Sequence, residues 1–253
     1  MTSQNPLPQI PPDFSVKLIG LGGVGGIVAR YLAIFLAAQR SSSRLVLIDG
    51  DSFEPSNATR MLFSACGNKA SVLRAELLPR IEESLLTLLA IEEYVTPENI
   101  HRLLREDDLV ILAVDNHASR KLVNDFCATQ LRHVCVISGG NDGVAPSSHG
   151  VPRRGTYGSV QVFLRRDGQD ASPSLARFHP EIAHPADRHP LDKNCTELIT
   201  SVPQILFTNL QVATSILGTL WLYLCGDLHY SEVTFDLADA LMRPVSLPRP
   251  KLS

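Results

Sequence analysis

A glycine-rich turn between an apolar segment and a helical pattern constrains this chain more than any other feature. Residues 15–20 (SVKLIG) predict a buried strand, and the residues after Gly26 are apolar at helical spacing. Between them lies Gly20-Leu21-Gly22-Gly23-Val24-Gly25, which satisfies G-x-G-x-x-G and lets the backbone pass close to a phosphate at the start of a helix. The sequence therefore predicts a nucleotide-binding unit, with a tight turn that holds no ligand as the alternative.

Strands and helices alternate through the first 138 residues, which predicts an α/β fold. The predicted strands are residues 15–20, 44–49, 91–95, 108–114 and 133–138. The predicted helices begin near residues 26, 69, 97 and 118, and Pro79 is expected to kink or end the second one. Right-handed crossovers between such strands give a Rossmann-like, doubly wound and mainly parallel sheet.

The pattern changes after residue 138. Residues 158–166 alternate like an antiparallel strand, residues 167–194 predict a long polar loop, and an apolar helix near 200–225 precedes a strand at 232–237 and a proline-bearing tail. We therefore expect antiparallel C-terminal strands beside the parallel ones. The expected organisation is a proline-rich segment at 1–14 and a single domain at 15–253, with a crossover-type loop at about 167–199.

Composition argues against several classes of protein. Lys and Arg number 23 against 26 Asp and Glu, so the net charge of −3 lacks the positive excess of a general nucleic-acid binder. Five cysteines without a C-x-x-C pair, and an N-terminus without a secretory pattern, predict a cytoplasmic protein with reduced thiols. Polar residues interrupt the apolar stretch 205–225, so we expect a buried or interface helix and no membrane span. Because this helix is apolar on more than one face, a homodimer or a partner protein is expected to cover it.

Charged residues at strand ends distinguish between the nucleotides that the glycine turn accepts. Asp49 ends the second strand, where an acid binds the ribose hydroxyls of either NAD or ATP. Arg60 and Lys69 follow, and a forked guanidinium with a lysine suits the β- and γ-phosphates of a triphosphate. Asp115 ends the strand 108–114, and a carboxylate at that edge of the sheet suits Mg²⁺ shared with phosphates. ATP with Mg²⁺ is the expected pair, with surface charges at Arg60 and Lys69 and a helix cap at Asp115 as alternatives.

These residues resemble the ThiF and MoeB type of ubiquitin-like-protein-activating adenylyltransferases. The resemblance covers about residues 15–140 and rests on the glycine turn, the D-x-D…N-x-x-R segment at 49–60, Lys69, and the VDN at 114–116 followed by Arg120 and the VN pair at 123–124. It implies phosphates at Gly22, Gly23 and Gly25, ribose at Asp49, the triphosphate at Asn57, Arg60 and Lys69, and Mg²⁺ at Asp115. The full cofactor-binding set that it implies is Gly20, Gly22, Gly23, Gly25, Asp49, Asp51, Asn57, Arg60, Lys69, Asp115 and Asn116.

The C-terminal part, with Cys195 before Glu197-Leu198 and a long apolar helix, looks like the short bacterial ThiF-like proteins of ubiquitin-like conjugation or plasmid-borne systems. Two features between Arg60 and Lys69 depart from the family pattern. Met61 stands where the family usually has Gln, and the interval from Arg60 to Lys69 is several residues short. The paired C-x-x-C zinc site of the longer relatives is absent from this sequence.

Cys195 is the candidate nucleophile among the cysteines. It follows a polar stretch and precedes a predicted helix, and a helix N-terminus with Lys193 nearby favours the thiolate. A structural cysteine at a helix start is the alternative. His179, His184 and His189 recur at five-residue steps, but the prolines around them favour an extended solvated loop over a zinc site.

The resulting hypothesis is an ATP-dependent enzyme that adenylates the C-terminal carboxylate of a ubiquitin-like protein ending in glycine. Its catalytic residues would be Arg60, Lys69, Asp115 and Cys195, and Cys195 would take the acyl group as a thioester for delivery to a conjugating enzyme. Three alternatives remain at this point: a catalytically silent nucleotide-binding scaffold subunit, an NAD-dependent Rossmann oxidoreductase, and an enzyme that adenylates a small-molecule or tRNA-base carboxylate.

Overall fold

The computed structural model describes residues 7–59, 61–145, 153–187, 189–190 and 204–247. The helices are Gly25–Ala37 (α1), Lys69–Ile81 (α2), Ile100–Leu103 (α3), His117–Gln130 (α4), Pro180–Ala183 (α5) and Leu206–Leu224 (α6). The strands are Phe14–Ile19 (β1), Ser43–Ile48 (β2), Ser52–Phe53 (β3), Gly67–Asn68 (β4), Leu86–Ile91 (β5), Leu109–Leu112 (β6), Val134–Asn141 (β7), Val144–Ala145 (β8), Arg153–Arg154 (β9), Tyr157–Arg166 (β10), Gln169–Asp170 (β11), Tyr230–Asp236 (β12) and Leu241–Ser246 (β13).

One large sheet organises these elements in the order β13-β12-β10-β7-β6-β1-β2-β5, with β11 beside β10. The five strands β7, β6, β1, β2 and β5 are parallel to one another. Strand β10 pairs antiparallel with β7, β12 with β10, and β13 with β12. The prediction of an α/β, Rossmann-like, mainly parallel sheet with antiparallel C-terminal strands is confirmed. All the carboxyl ends of the parallel strands therefore lie at one edge of the sheet.

Helices cover both faces of the sheet. On one face α1, α2 and α6 pack through side chains such as Leu32, Leu73 and Ile216. On the other face α3 and α4 pack through Leu103 and Val123, and the segment around α5 joins the same apolar cluster. Because β6 is covered on both sides, all four of its residues (LVIL) are apolar and buried, as expected for a central strand of a doubly wound sheet.

One strand prediction is wrong, and the last strand was not predicted. The third strand is Leu86–Ile91 and not residues 91–95, because the leucine run pairs with β2 while Glu92 and Glu93 lie beyond the pairing. No strand was predicted in the proline-bearing tail, where Leu241–Ser246 forms the edge strand β13 despite Pro244. An edge strand tolerates proline because the missing N–H need not bond a neighbour. Pro79 lies inside α2, which continues to Ile81.

Two glycines bring the β1–α1 turn against the end of β6. Gly20 has φ +85°, and a Cβ there would lie 2.9 Å from the Ala113 carbonyl group. A Cβ on Gly25 would lie 1.8 Å from the carbonyl oxygen of Gly20. A Cβ on Gly22 would meet only the Met61 side chain at 3.6 Å. Gly20 and Gly25 are therefore required by packing, while Gly22 faces open space.

The helices offer no candidate for a bilayer segment. In the described parts of the chain, no helix is both long enough and apolar enough to cross a membrane.

Candidate nucleotide-binding site

A cavity of about 790 Å³ opens at the carboxyl ends of the parallel strands. This is the edge at which open α/β sheets bind ligands. It brings together predicted residues from five separate segments, namely Gly20, Gly22, Gly23, Asp49, Asp51, Asn57, Lys69, Asp115 and Asn116. Gly25 lies behind the turn against Gly20 and does not line the cavity. Arg60 and Cys195 lie outside the described residues.

Asp49 ties the glycine turn to the end of β2. Its Oδ2 accepts a hydrogen bond of 2.6 Å from Leu21 N, and its Oδ1 accepts one of 2.8 Å from Asp51 N. Burial raises the pKa of Asp49, while the nearby Lys69 charge and the two N–H donors oppose that rise. The carboxylate is therefore fixed at the floor of the cavity, where an acid is suited to hold a ribose.

Lys69 lies at the start of α2 and points to Asp51. Its Nζ is 2.9 Å from Asp51 Oδ2, and the lysine is buried while Asp51 is half exposed. Asn68 holds this helix start in place, because its Oδ1 accepts from Ala70 N and its Nδ2 donates to the carbonyl oxygens of Asp49 and Asp51. The α2 N-terminus is thus attached to the end of β2, and Lys69 is presented to the cavity.

Tyr94 was not recognised in the sequence. Its hydroxyl donates to Asp51 Oδ1, and burial raises the pKa of the phenol. A Cβ on Gly50 would lie 2.5 Å from the tyrosine ring, so this glycine lets the ring pack over the backbone after Asp49. The sequence analysis placed this residue inside the predicted strand 91–95. In the structure it follows β5, which ends at Ile91, and lines the cavity.

The short segment before Lys69 has its own anchor. Arg30 of α1 donates to the Leu62 carbonyl oxygen and pairs with Glu76 of α2 at 2.7 Å. Its guanidinium lies 5.6 Å from the centre of the Phe63 ring, which stacks on Phe53. These contacts hold residues 61–64 against α1 and α2, and Met61 lines the cavity beside Gly22.

Asp115 presents an unengaged carboxylate to the cavity. The N-cap of α4 is Asn116, whose Oδ1 accepts from Ser119 N at 2.8 Å, so the alternative that Asp115 caps this helix is wrong. Within the described residues, Asp115 is exposed and its carboxylate makes no hydrogen bond or ion pair. A free, hard oxygen donor at this edge fits a divalent cation shared with phosphates. The described residues contain no group of three or more His, Cys, Asp or Glu that would hold a metal by itself.

Arg120 was noted in the sequence without a role. Its side chain is buried, and its Nη2 donates at 2.8 Å to the carbonyl oxygens of Val114 and Gly139. Its Nη1 donates to Ser138 Oγ. Burial lowers the pKa of Arg120 to about 10. The guanidinium joins the ends of β6 and β7 immediately beside Asp115 in the chain.

Polar contacts anchor the part of the predicted long loop that lines the cavity, between residues 179 and 190. Both nitrogens of His179 meet carboxylates, with Nε2 2.7 Å from Glu232 Oε1 and Nδ1 2.9 Å from Glu181 Oε1. The hydrogen bond to Glu232 raises the pKa of His179, and the bond to Glu181 adds to it against the cost of burial. Farther along, His189 Nε2 lies 2.6 Å from the Val95 carbonyl oxygen. The described part of the predicted long loop is therefore attached to β12 at His179 and to the segment after β5 at His189.

The fold and the cavity define a Rossmann-like nucleotide-binding α/β protein. More particularly, the chain belongs to the ThiF family, because the model of that family matches residues 12–244.

Individual relatives match a smaller part of the chain. Protein HesA of Leptolyngbya boryana is 28% identical over 118 residues, which are 46% of this chain and 40% of that protein. The adenylyltransferase and sulfurtransferase MOCS3 of Dictyostelium discoideum is 35% identical over 115 residues, 45% of this chain and 26% of that protein. The sulfur carrier protein adenylyltransferase of Thermus thermophilus is 34% identical over 133 residues, 47% and 45% of the two chains. The matches thus span less than half the length of these relatives.

Solved structures share the fold over nearly the whole chain. The crystal structure of E. coli MccB with AMPCPP and MccA has a TM-score of 0.65 at 16% identity, covering 94% of this chain and 65% of that one. The structure of E. coli MccB with ATP gives a TM-score of 0.63 with coverage of 94% and 64%. At this identity the likeness establishes the fold alone.

The His179 cluster predicts a pH-dependent contribution to stability. Because the pKa of His179 is raised above the unfolded value of 6.5, its contribution is full below pH 6.5 and is lost as pH rises through the folded-state pKa. We expect the free energy of unfolding of wild type, minus that of His179→Gln, to fall across this window with a slope of at most about 1.4 kcal/mol per pH unit. Urea unfolding at closely spaced pH values measures this difference.

Two further variants control this measurement. Glu232→Gln keeps the size of the buried partner but removes its charge, so the window should move to lower pH. His229→Gln removes a histidine that is 74% exposed, and its effect on stability should be small. A difference between wild type and His179→Gln that is the same at every pH would contradict a charged His179.

Proposed function

We propose that this chain uses ATP and Mg²⁺ to adenylate the C-terminal carboxylate of a ubiquitin-like protein that ends in glycine. The observation that carries the proposal is the Asp115 carboxylate, which has no hydrogen-bond or ion-pair partner among the described residues and shares one cavity with the glycine turn, Asp49 and buried Lys69. The names of the relatives support it, since they include adenylyltransferases for a sulfur carrier protein and the SAMP-activating enzyme E1 of Haloferax volcanii. The MccB structures with ATP and with MccA support a peptide or protein substrate in this fold.

The proposed reaction is a substitution at phosphorus. An oxygen of the ionised carboxylate attacks the α-phosphorus of ATP, and the bond from that phosphorus to the oxygen bridging to the β-phosphate breaks. Pyrophosphate leaves with the electron pair, and an acyl adenylate remains. No general base is needed, because a terminal carboxylate is already ionised at neutral pH.

The residues of this chain bind and orient the reactants. Asp49 holds the ribose, the backbone at Gly22 and Gly23 approaches the phosphates, and Lys69 neutralises charge on the triphosphate. Asn57 lies in the same cavity, and Arg60 is assigned to the triphosphate from the family pattern alone. Asp115 would hold the magnesium ion, which supplies charge neutralisation at the departing pyrophosphate.

Removal of the Asp115 charge tests this proposal. Asp115→Asn should reduce ATP–pyrophosphate exchange about a thousandfold, because the only strand-end carboxylate proposed for the metal is lost. The substrates to supply are ubiquitin-like proteins encoded near this chain's gene. Asp125→Asn is the matched control, since it removes a carboxylate from the exposed side of α4, the helix that follows Asp115, where Asp125 pairs with Lys121. Equal exchange in Asp115→Asn and wild type would refute the role of Asp115.

The same assay separates the alternatives. A catalytically silent scaffold would bind ATP without exchange. An oxidoreductase would bind a nicotinamide cofactor and show no ATP-dependent exchange. Exchange that needs no protein substrate would indicate adenylation of a small-molecule or tRNA-base carboxylate.

We further propose that Cys195 takes the acyl group for delivery to a conjugating enzyme. The thiolate sulfur would attack the acyl carbon, the bond from that carbon to the phosphate oxygen would break, and AMP would leave. Two of the other cysteines, Cys127 and Cys135, are buried, and burial raises the pKa of both thiols. Neither is suited to attack.

Cys195→Ser should keep pyrophosphate exchange but lose a thiol-labile conjugate seen on a non-reducing gel. Cys66→Ser is the control, because it removes another thiol that is exposed to solvent. This variant should still form the conjugate. A thiol-labile conjugate that survives in Cys195→Ala would assign the thioester to another cysteine. The absence of any conjugate in wild type would mean that the adenylate passes directly to an outside acceptor.

We also propose a homodimer through α1 and α6. These helices expose large apolar side chains, among which Phe207 is 69%, Tyr31 60% and Ile34 50% accessible. Trp221 joins it through an edge contact with Phe35 at 6.0 Å between ring centres. An apolar patch of this kind on a soluble domain is typically covered by another chain.

Light scattering at micromolar concentration should give the dimer mass for wild type. Phe207→Glu should shift the mass toward that of the monomer, because it introduces a charge into the proposed interface. Met242→Glu, on the exposed edge strand β13, is the control and should remain dimeric. A monomeric wild type would leave only a different partner protein for this surface.

A further inference from the structure

A carboxylate from a distant part of the chain is bound at the N-terminus of α4. Asp187 Oδ2 accepts from His117 N at 2.6 Å, and Asp187 Oδ1 accepts from Ala118 N at 2.9 Å. The helix already has a neutral cap in Asn116, so Asp187 is a second side-chain acceptor at this end and carries a negative charge. Backbone N–H groups at a helix start, with the helix dipole, favour any carboxylate in this position.

The buried charge of Arg120 lies in the next turn of the same helix. Its hydrogen bonds all go to neutral acceptors, and no described carboxylate comes within ion-pair distance of it. Asp115, Asp187 and Glu181 act on it only from farther away. A Cβ on Gly140 would lie 2.5 Å from Arg120 Nη2, so the glycine leaves room for the guanidinium. A buried guanidinium without a direct counter-charge is costly, and a bound anion reduces that cost.

The position of these groups fits one reactant of the proposed reaction. Asp115, His117, Arg120 and Asp187 all line the cavity, and β7 and β10 line it beyond them. In the sheet, β2 and β1 lie on one side of β6, and β7 and β10 lie on the other. A nucleotide held at Asp49 and the glycine turn occupies the first side, so a carboxylate that approaches its α-phosphate must come from the second.

We infer that Asp187 occupies the subsite for the substrate's C-terminal carboxylate, which is formed by the N–H groups of His117 and Ala118 and by Arg120. The loop carboxylate is then an internal competitor, and the substrate must displace it. His179 and His189 flank Asp187 in the chain and are attached to Glu232 and to the Val95 carbonyl oxygen, so displacement of Asp187 need not break either of these contacts. The inference rests on the proposed function, and the competing explanation is that Asp187 is only a second helix cap.

Acetate is a suitable probe, because it supplies a carboxylate without the rest of a substrate. In Asp187→Ala, sodium acetate should raise the thermal midpoint by about 3–5 °C at ten times its Kd, compared with sodium chloride at equal ionic strength. Wild type should not respond, because its subsite is filled. The added Arg120→Gln change should weaken the apparent acetate affinity of the Asp187→Ala protein at least tenfold. Acetamide, which has the same shape without the charge, should have no effect.

Glu106 offers a matched control away from the cavity. Its carboxylate also accepts from two consecutive backbone N–H groups, those of Arg132 and His133. An equal acetate response in Glu106→Ala and Asp187→Ala would identify Asp187 as an ordinary cap and overturn the inference, as would no response in Asp187→Ala. Asp187→Asn, which keeps an acceptor at the helix start, replaces the alanine variant if that protein does not fold.

Nucleotide binding measured separately distinguishes the two levels of the argument. If AMPCPP binds and acetate has no effect on Asp187→Ala, the carboxylate subsite is wrong while the proposed function stands. If acetate binds through Arg120 and AMPCPP does not bind, the subsite stands and the proposed adenylation fails. With both intact, Asp187→Ala supplied with ATP, Mg²⁺ and acetate should show acetate-dependent pyrophosphate exchange at least tenfold above that of wild type.

Discussion

The buried carboxylate of Asp49 is the contact on which the geometry of the cavity depends. It accepts N–H groups from both Leu21 and Asp51, so it fixes the glycine turn after β1 and the segment after β2 relative to each other. Asp51 in turn meets Lys69 and Tyr94, and Asn68 bonds the carbonyl oxygens of both aspartates. An acid at the end of β2 therefore positions three different segments before any ligand is present.

The nucleotide side of the site was predictable because its residues occupy strand ends. A glycine turn between a strand and a helix, an acid at the end of β2 and an acid at the end of β6 have fixed places in a doubly wound sheet, whatever the loops do. For this reason Gly22, Asp49 and Asp115 lie in one cavity as the sequence implied. The position of Lys69 was predictable in the same way, because the second helix was predicted to begin near residue 69 and α2 begins there.

The other side of the site depends on contacts between residues far apart in the chain. Asp187 reaches α4 from 70 residues away, and His179 meets Glu232 across 53 residues, so no local pattern indicates either contact. The error at β5 had a different cause, since Glu92 and Glu93 were included in a strand that ends with Ile91. That shift concealed Tyr94, whose ring position depends on the room left by Gly50. Arg120 was visible in the sequence, but its burial depends on Gly140 in β7.

Lys69 and Arg120 are buried cations at opposite ends of the cavity, and they differ in their partners. Lys69 has a carboxylate partner within the protein, and that partner is half exposed and within reach of a competing ligand. Among the described residues, Arg120 has only neutral acceptors for its hydrogen bonds, and the acids near it are Asp115, Asp187 and Glu181. A cation bound at Asp115 would cancel the first of these acids, and displacement of Asp187 would remove the second. Both changes leave Glu181 as the remaining described acid near Arg120. A bound anion would restore the lost compensation, so cation binding at Asp115 and carboxylate binding beside Arg120 are expected to favour each other.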